Sequence, residues 1–188
     1  VDVFAEMFSD AVHECGEKAL LHAVQAANSK ILHAAASNEA RKGMGTTVVA
    51  LQHTETTAYW AHVGDSRLYL LRAGALKLLT RDHSFVQDLV EQGTITEEEA
   101  RQHPKKNLLT RAVGVAENLI VDTGTSTIKA GDIFLLCSDG LTNMVGETAI
   151  CETLQGESSD KAQHLVNLAL LAGGLDNITA IVVECDEK

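Results

Sequence analysis

The chain is 188 residues long, 45% hydrophobic and 22% charged, with 26 acidic and 15 basic residues giving a formal net charge of −11. That composition suits one globular domain with a sizeable core, and an acidic chain without a Lys/Arg-rich run argues against nucleic acid and anionic membranes as partners while favouring divalent cations. No apolar stretch approaches the ~20 residues of a membrane span and no signal peptide opens the chain, so a cytoplasmic location is expected.

In chain order, Phe4, Met7, Phe8, Ala11 and Val12 follow helical spacing, and Leu20, Leu21, Val24, Ala27, Ile31 and Leu32 repeat it beyond Gly16. Two helices covering one face of a sheet are expected. Residues 37–43 form a polar loop, and Met44-Gly45-Thr46-Thr47 leads into an apolar strand, Val48 to Leu51. Strand character returns at Thr57 to Val63, Leu68 to Leu71 and Leu76 to Leu79, with turns between, the regular spacing of an antiparallel meander.

Phe85, Leu89 and Val90 suit a short helix ended by Gly93, and Thr96-Glu97-Glu98-Glu99 is a capping box for a second one that stops near Pro104. Leu108 to Val113 and Leu119 to Thr127 return to strand character, which makes the helical excursion a candidate mobile flap. Ile133 to Cys137, after the turn Ala130-Gly131-Asp132, is too short for a helix and apolar on both faces, the mark of a strand buried inside a sheet or sandwich. Ile150 and Leu154 indicate a short helix, and Ser158-Ser159-Asp160 caps a longer one ended by Gly173-Gly174. A last apolar strand runs from Ile178 to Val183. Helices at both ends of a run of strands point to an α+β sandwich.

Cys15, Cys137, Cys151 and Cys185 form no C-x-x-C pair, and neither H-E-x-x-H, G-x-S-x-G nor a Walker loop occurs. The notable chemistry is acidic. Asp65, Asp139 and Asp176 each lie at the junction of a turn and a strongly apolar strand. Each alone suits a cap or turn, and Asp65 also suits a bulge at Gly64 with an ion pair to Arg67. Three in the same context, on neighbouring strands, would meet at one end of a sandwich, where oxygen ligands without Cys or His favour Mg²⁺ or Mn²⁺. Such ions lower the pKa of water and stabilise in-line phosphoryl displacement.

Met44 to Thr47, Ala61-His62-Val63-Gly64-Asp65-Ser66-Arg67, Thr80-Arg81-Asp82-His83-Ser84, Leu136-Cys137-Ser138-Asp139-Gly140-Leu141 and Gly173-Gly174-Leu175-Asp176-Asn177-Ile178-Thr179 follow in an order that resembles bacterial type-2C metal-dependent serine/threonine protein phosphatases. Residues 92–100 with His103-Pro104 resemble that family's flap. The resemblance implies a central antiparallel β-sandwich with helices on both sides, one phosphatase-like domain over 1–188 with a flap at 80–110, and a Mn²⁺ or Mg²⁺ pair plus a possible third ion. It places Asp139 and Asp176 on the core pair and Asp65 with Asp139 on the further ion, and it makes Ser66, Ser138, Gly140 and Asn177 supporting or turn residues. A metal-bridging hydroxide would attack the phosphorus directly, so no protein nucleophile is required. Phosphorylated proteins would be the substrates and a bacterial Ser/Thr kinase the counterpart.

The family's opening arginine-and-acid motif and its Asp-Gly-Met-Gly-Gly motif, sources of the phosphate-binding arginine and the bridging aspartate, are not in this chain. Early strands of the sandwich are expected to be missing with them. Beside the phosphatase reading stand a non-catalytic module that binds a phosphoprotein or partner, and a structural domain in which the three acids are turn caps.

Overall fold

The computed structural model describes residues 15–186. The helix expected over Phe4 to Val12 lies outside the described residues. The chain divides into two compact units, Val1–Asp65 with Asp82–Thr127, and Ser66–Arg81 with Ile128–Lys188.

In the first unit, helix α1 (Glu17–Ala36) follows Gly16 and buries Leu20, Ala23, Val24 and Ala27. Leu20 and Val24 pack with Ala61, Val63 and Val113, so the helical spacing of the apolar residues is the face that meets the sheet. Strands β1 (Val48–His53), β2 (Thr57–Val63) and β5 (Asp122–Thr127) form an antiparallel sheet in the order β1-β2-β5. Asn28, buried on α1, accepts the Gly114 N–H at Oδ1 (2.7 Å) and donates from Nδ2 to the Ala116 carbonyl (2.8 Å). The strand expected at Leu108 to Val113 is reduced to isolated bridges, Ser84 with Leu109 and Thr46 with Val113, because its backbone groups bond to Phe85, His83 and Thr46 rather than to a strand. The strand expected from Leu119 begins only at Asp122, where pairing with His62 starts.

The two helices between these strands form as their caps dictate. Ser84 accepts the Gln87 N–H at the start of α2 (Phe85–Glu91). Thr96 and Glu99 close both bonds of the capping box on α3 (Glu97–Gln102), and His103 turns extended before Pro104.

In the second unit, β3 (Arg67–Arg72), β4 (Ala75–Leu78), β6 (Ile133–Cys137) and β7 (Ala180–Glu184) form an antiparallel sheet in the order β4-β3-β6-β7. Phe134, Leu135, Leu136 and Cys137 are all buried, so β6 is covered on both faces as its unbroken apolar run requires. Leu135 and Cys137 meet a core completed by Leu141 of the short helix α4 (Asp139–Thr142), Ile150 and Leu154 of α5 (Glu147–Gln155) and Leu165 and Ala169 of α6 (Lys161–Leu171). Asp160 caps α6 through the Gln163 N–H, and Gly174, at φ +54°, closes its end by donating to the Ala169 carbonyl. An ion pair sits at the other end of the sheet, where Arg72 Nε and Nη2 donate to Asp132 Oδ1 and Oδ2 at 2.7 and 2.6 Å. The observed elements are those of the expected α+β class: two antiparallel sheets, each with its own helices.

Candidate functional site

The register of the second sheet decides where its acids lie. Cys137, the last residue of β6, pairs with Arg67, the first of β3, and with Ala180, the first of β7. In an antiparallel sheet the exit of the central strand therefore adjoins the entrances of both neighbours. Asp139 follows that exit by two residues, and Asp176 precedes the β7 entrance by four.

Asp139 opens α4, and its Oδ2 accepts from Asn143 Nδ2 (3.1 Å) one helical turn later. Asp176 is exposed, and its Oδ1 accepts the Asn177 N–H (2.7 Å). The two segments are locked together by Ser138, whose Oγ donates to the Asn177 carbonyl (3.1 Å) and accepts the Thr179 N–H (3.0 Å). Because a hydroxyl takes the Thr179 N–H that a ladder carbonyl would otherwise accept, β7 starts at Ala180 rather than at the expected Ile178. Gly140 completes the fit: a Cβ there would lie 2.3 Å from the Asn177 carbonyl oxygen, inside any tolerable contact.

Asp65, in the first unit, is half-buried and follows Gly64, whose φ is +112°. A Cβ at residue 64 would come 2.3 Å from Thr47 Cγ2, so the loop passes where only glycine fits. Ser66, also half-buried, leads into β3. Arg67 Nη1 donates to the Tyr69 hydroxyl oxygen at 3.1 Å.

One residue outside the expected site, His83, bonds to the loop carrying Asp65, and Asp122 and Arg111 follow behind it. His83 is fully buried, and its backbone N–H donates to the Gly64 carbonyl (2.7 Å) while its Nδ1 accepts the Gly64 N–H (3.1 Å). His83 Nε2 lies 3.0 Å from Asp122 Oδ2, and Asp122 Oδ1 accepts from Arg111 Nη1 at 2.7 Å. Burial pushes the Asp122 carboxyl up, but the bonds from His83 and Arg111 outweigh it and leave the group below the usual carboxylate range. His83 belongs to a motif evident in the sequence. Asp122 and Arg111 carry no local signal, since their meeting with His83 depends on how β5 pairs.

Among the described residues, no three His, Cys, Asp or Glu side chains gather closely enough to hold a metal by themselves. The donor chemistry of the acids nonetheless fits a hard divalent cation: carboxylates at a sheet end, on segments bound together by Ser138 and Gly140, without thiolate in the set.

The family model for Protein phosphatase 2C matches residues 4–178. The chain belongs to that family. It is 41% identical over 181 residues to Protein phosphatase PhpP of Streptococcus pneumoniae, an alignment covering 95% of this chain and 73% of the relative. The crystal structure of the Mycobacterium tuberculosis serine/threonine phosphatase PstP/Ppp superposes with a TM-score of 0.91 at 37% identity, covering 99% of this chain and 81% of that one. A second structure, of the catalytic domain of PstP in complex with two manganese ions, gives a TM-score of 0.86 at 36% identity and covers 99% and 82% of the respective chains. The protein is thus of the protein serine/threonine phosphatase class, and the expected family membership and fold are both borne out by the comparisons. No helix among the described residues is long and apolar enough to cross a membrane.

Proposed function

We propose that the protein hydrolyses phosphoserine and phosphothreonine in other proteins with the help of Mn²⁺ or Mg²⁺, in opposition to a serine/threonine kinase. The observation that carries this reading lies in the second unit: Cys137 pairs with Ala180, and Ser138 bonds to Asn177 and Thr179, so the segments carrying Asp139 and Asp176 meet at one sheet end. The manganese-bound PstP structure supports the choice of metal class.

In this reading Asp139 and Asp176 hold the core ions and Asp65 with Asp139 a further one. When bound, the ions supply water activation and neutralise charge on the phosphoryl oxygens. The chain's own residues hold their ligands in place: Ser138 ties the Asp139 loop to the Asp176 loop, Asn143 orients the Asp139 carboxylate, and Gly140 permits the close approach. Residues 80–110, with α2 and α3, act as the flap over substrate. There the Phe85 ring neighbours both the His103 ring, 6.0 Å away centroid to centroid, and the Lys105 ammonium, 5.4 Å from its centroid.

The test is phosphate release from a phosphothreonine peptide by full-length protein. Release should require Mn²⁺ or Mg²⁺ and fall to background in Asp139→Ala. Activity unchanged by that substitution would overturn the proposal.

A further inference from the structure

We infer that His83 is a positioning residue for Asp65, and that Asp122 and Arg111 act through it. The inference rests on the reading of Asp65 as a metal ligand. It concerns why a residue nineteen positions away in sequence is built against the ligand's loop.

Gly64 immediately precedes Asp65, so the orientation of its peptide groups sets the direction in which the aspartate leaves the chain. Both polar groups of Gly64 are answered by one residue: the carbonyl by the His83 N–H, and the N–H by the ring Nδ1. On its other side the loop abuts Thr47, with no room for a Cβ. A glycine at φ +112° would otherwise be the most adaptable point of the loop. Here its position is determined from two directions.

The ring can do this in only one tautomer. Nδ1 accepts an N–H and therefore carries no proton, so the ring proton sits on Nε2 and is donated to Asp122 Oδ2 at 3.0 Å. Asp122 is kept an acceptor by Arg111, and the ring itself is fully buried, with the His62 ring packed 4.8 Å away, centroid to centroid. A carboxylate that fixes a histidine's tautomer, so that its other nitrogen holds a third group, is the arrangement that orients ligands around metal sites. In this chain the group held is a backbone amide one residue from the ligand. A buried histidine needed only for packing would not require a charged pair to select its tautomer.

Two substitutions separate the arms. His83→Asn keeps an acceptor near the place of Nδ1 but loses the arm to Asp122. His83→Gln places its amide near the place of Nε2 and leaves the Gly64 N–H without its acceptor. The full-length protein is titrated with Mn²⁺ by calorimetry, with Asp65→Asn as reference and folding of each variant checked by circular dichroism. His83→Gln should weaken the Asp65-dependent binding by about 10- to 100-fold, and His83→Asn should recover most of it. If Asp65→Asn weakens binding but His83→Gln does not, the inference is overturned while the metal reading stands. If Asp65→Asn leaves binding unchanged, the metal reading falls and takes the inference with it. Nitrogen-15 spectra of the wild-type His83 ring at neutral pH decide the matter even if neither variant folds. A neutral ring with its proton on Nε2 is expected, and a proton on Nδ1 would overturn the inference.

Discussion

Gly140 and Asn177 approach so closely that a Cβ on residue 140 would lie 2.3 Å from the Asn177 carbonyl oxygen. The obstacle is backbone, which cannot rotate away as a side-chain tip can. Gly140→Ala should therefore separate the loops of Asp139 and Asp176, costing about 1–3 kcal/mol as overpacking does. Thermal unfolding should show a Tm lower by several degrees, and calorimetry a weaker Mn²⁺ isotherm. An unchanged isotherm would show that the two loops need not touch for metal to bind.

Ser138→Ala removes a hydroxyl that both donates to Asn177 and accepts from Thr179, without adding bulk. The site is partly exposed, so water replaces some of what is lost. A cost of about 1 kcal/mol is expected, or about 2–4 °C in Tm for a chain of this size. Amide hydrogen exchange at Thr179 should accelerate in the variant, and protection at the wild-type level would contradict the assigned bond.

The Arg72 and Asp132 pair predicts an acid limb of stability. Burial raises the Asp132 carboxyl, but the Arg72 guanidinium and the Lys129 N–H outweigh it, so the group is held below the usual carboxylate range. A carboxyl lowered on folding contributes fully above its unfolded pKa, and the contribution is lost as pH falls through the folded pKa. Asp132→Asn should cost about 1–3 kcal/mol at neutral pH, with the gap to wild type closing in acid. Urea unfolding across a pH series measures this, and a gap that widened on acidification would refute it.

Asn28 is nearly fully buried and satisfies both Gly114 and Ala116. Asn28→Ala leaves the buried Gly114 N–H without its partner, which costs about 1–3 kcal/mol, whereas water can reach the carbonyl of exposed Ala116. Denaturant unfolding should show the loss with little change in m-value. Stability equal to wild type would mean the 113–116 loop finds other partners.

Much of this molecule was legible in the chain because the signals were local. The Thr96 and Glu99 capping box, the Asp160 cap, the glycines after α6 and the apolar run of β6 each act over a few residues, and each formed as expected. Asp65 and Asp176 precede strands as expected, whereas Asp139, expected at a turn, opens the short helix α4. The strand expected at Leu108 to Val113 failed because its backbone groups bond to Phe85, His83 and Thr46, all distant in sequence, instead of to a strand. No window of local periodicity contains such a competitor.

What the sequence by itself determined was which strands are buried, where helices begin and end, and that acids stand at strand junctions. Only the tertiary structure decided that Cys137 pairs with both Arg67 and Ala180, and that His83, Asp122 and Arg111 meet behind Gly64. The physical reason is range. Caps and apolar alternation are satisfied within a turn or a strand, whereas register is chosen by burial summed over a whole sheet, because a slip of one residue would turn every buried side chain outward.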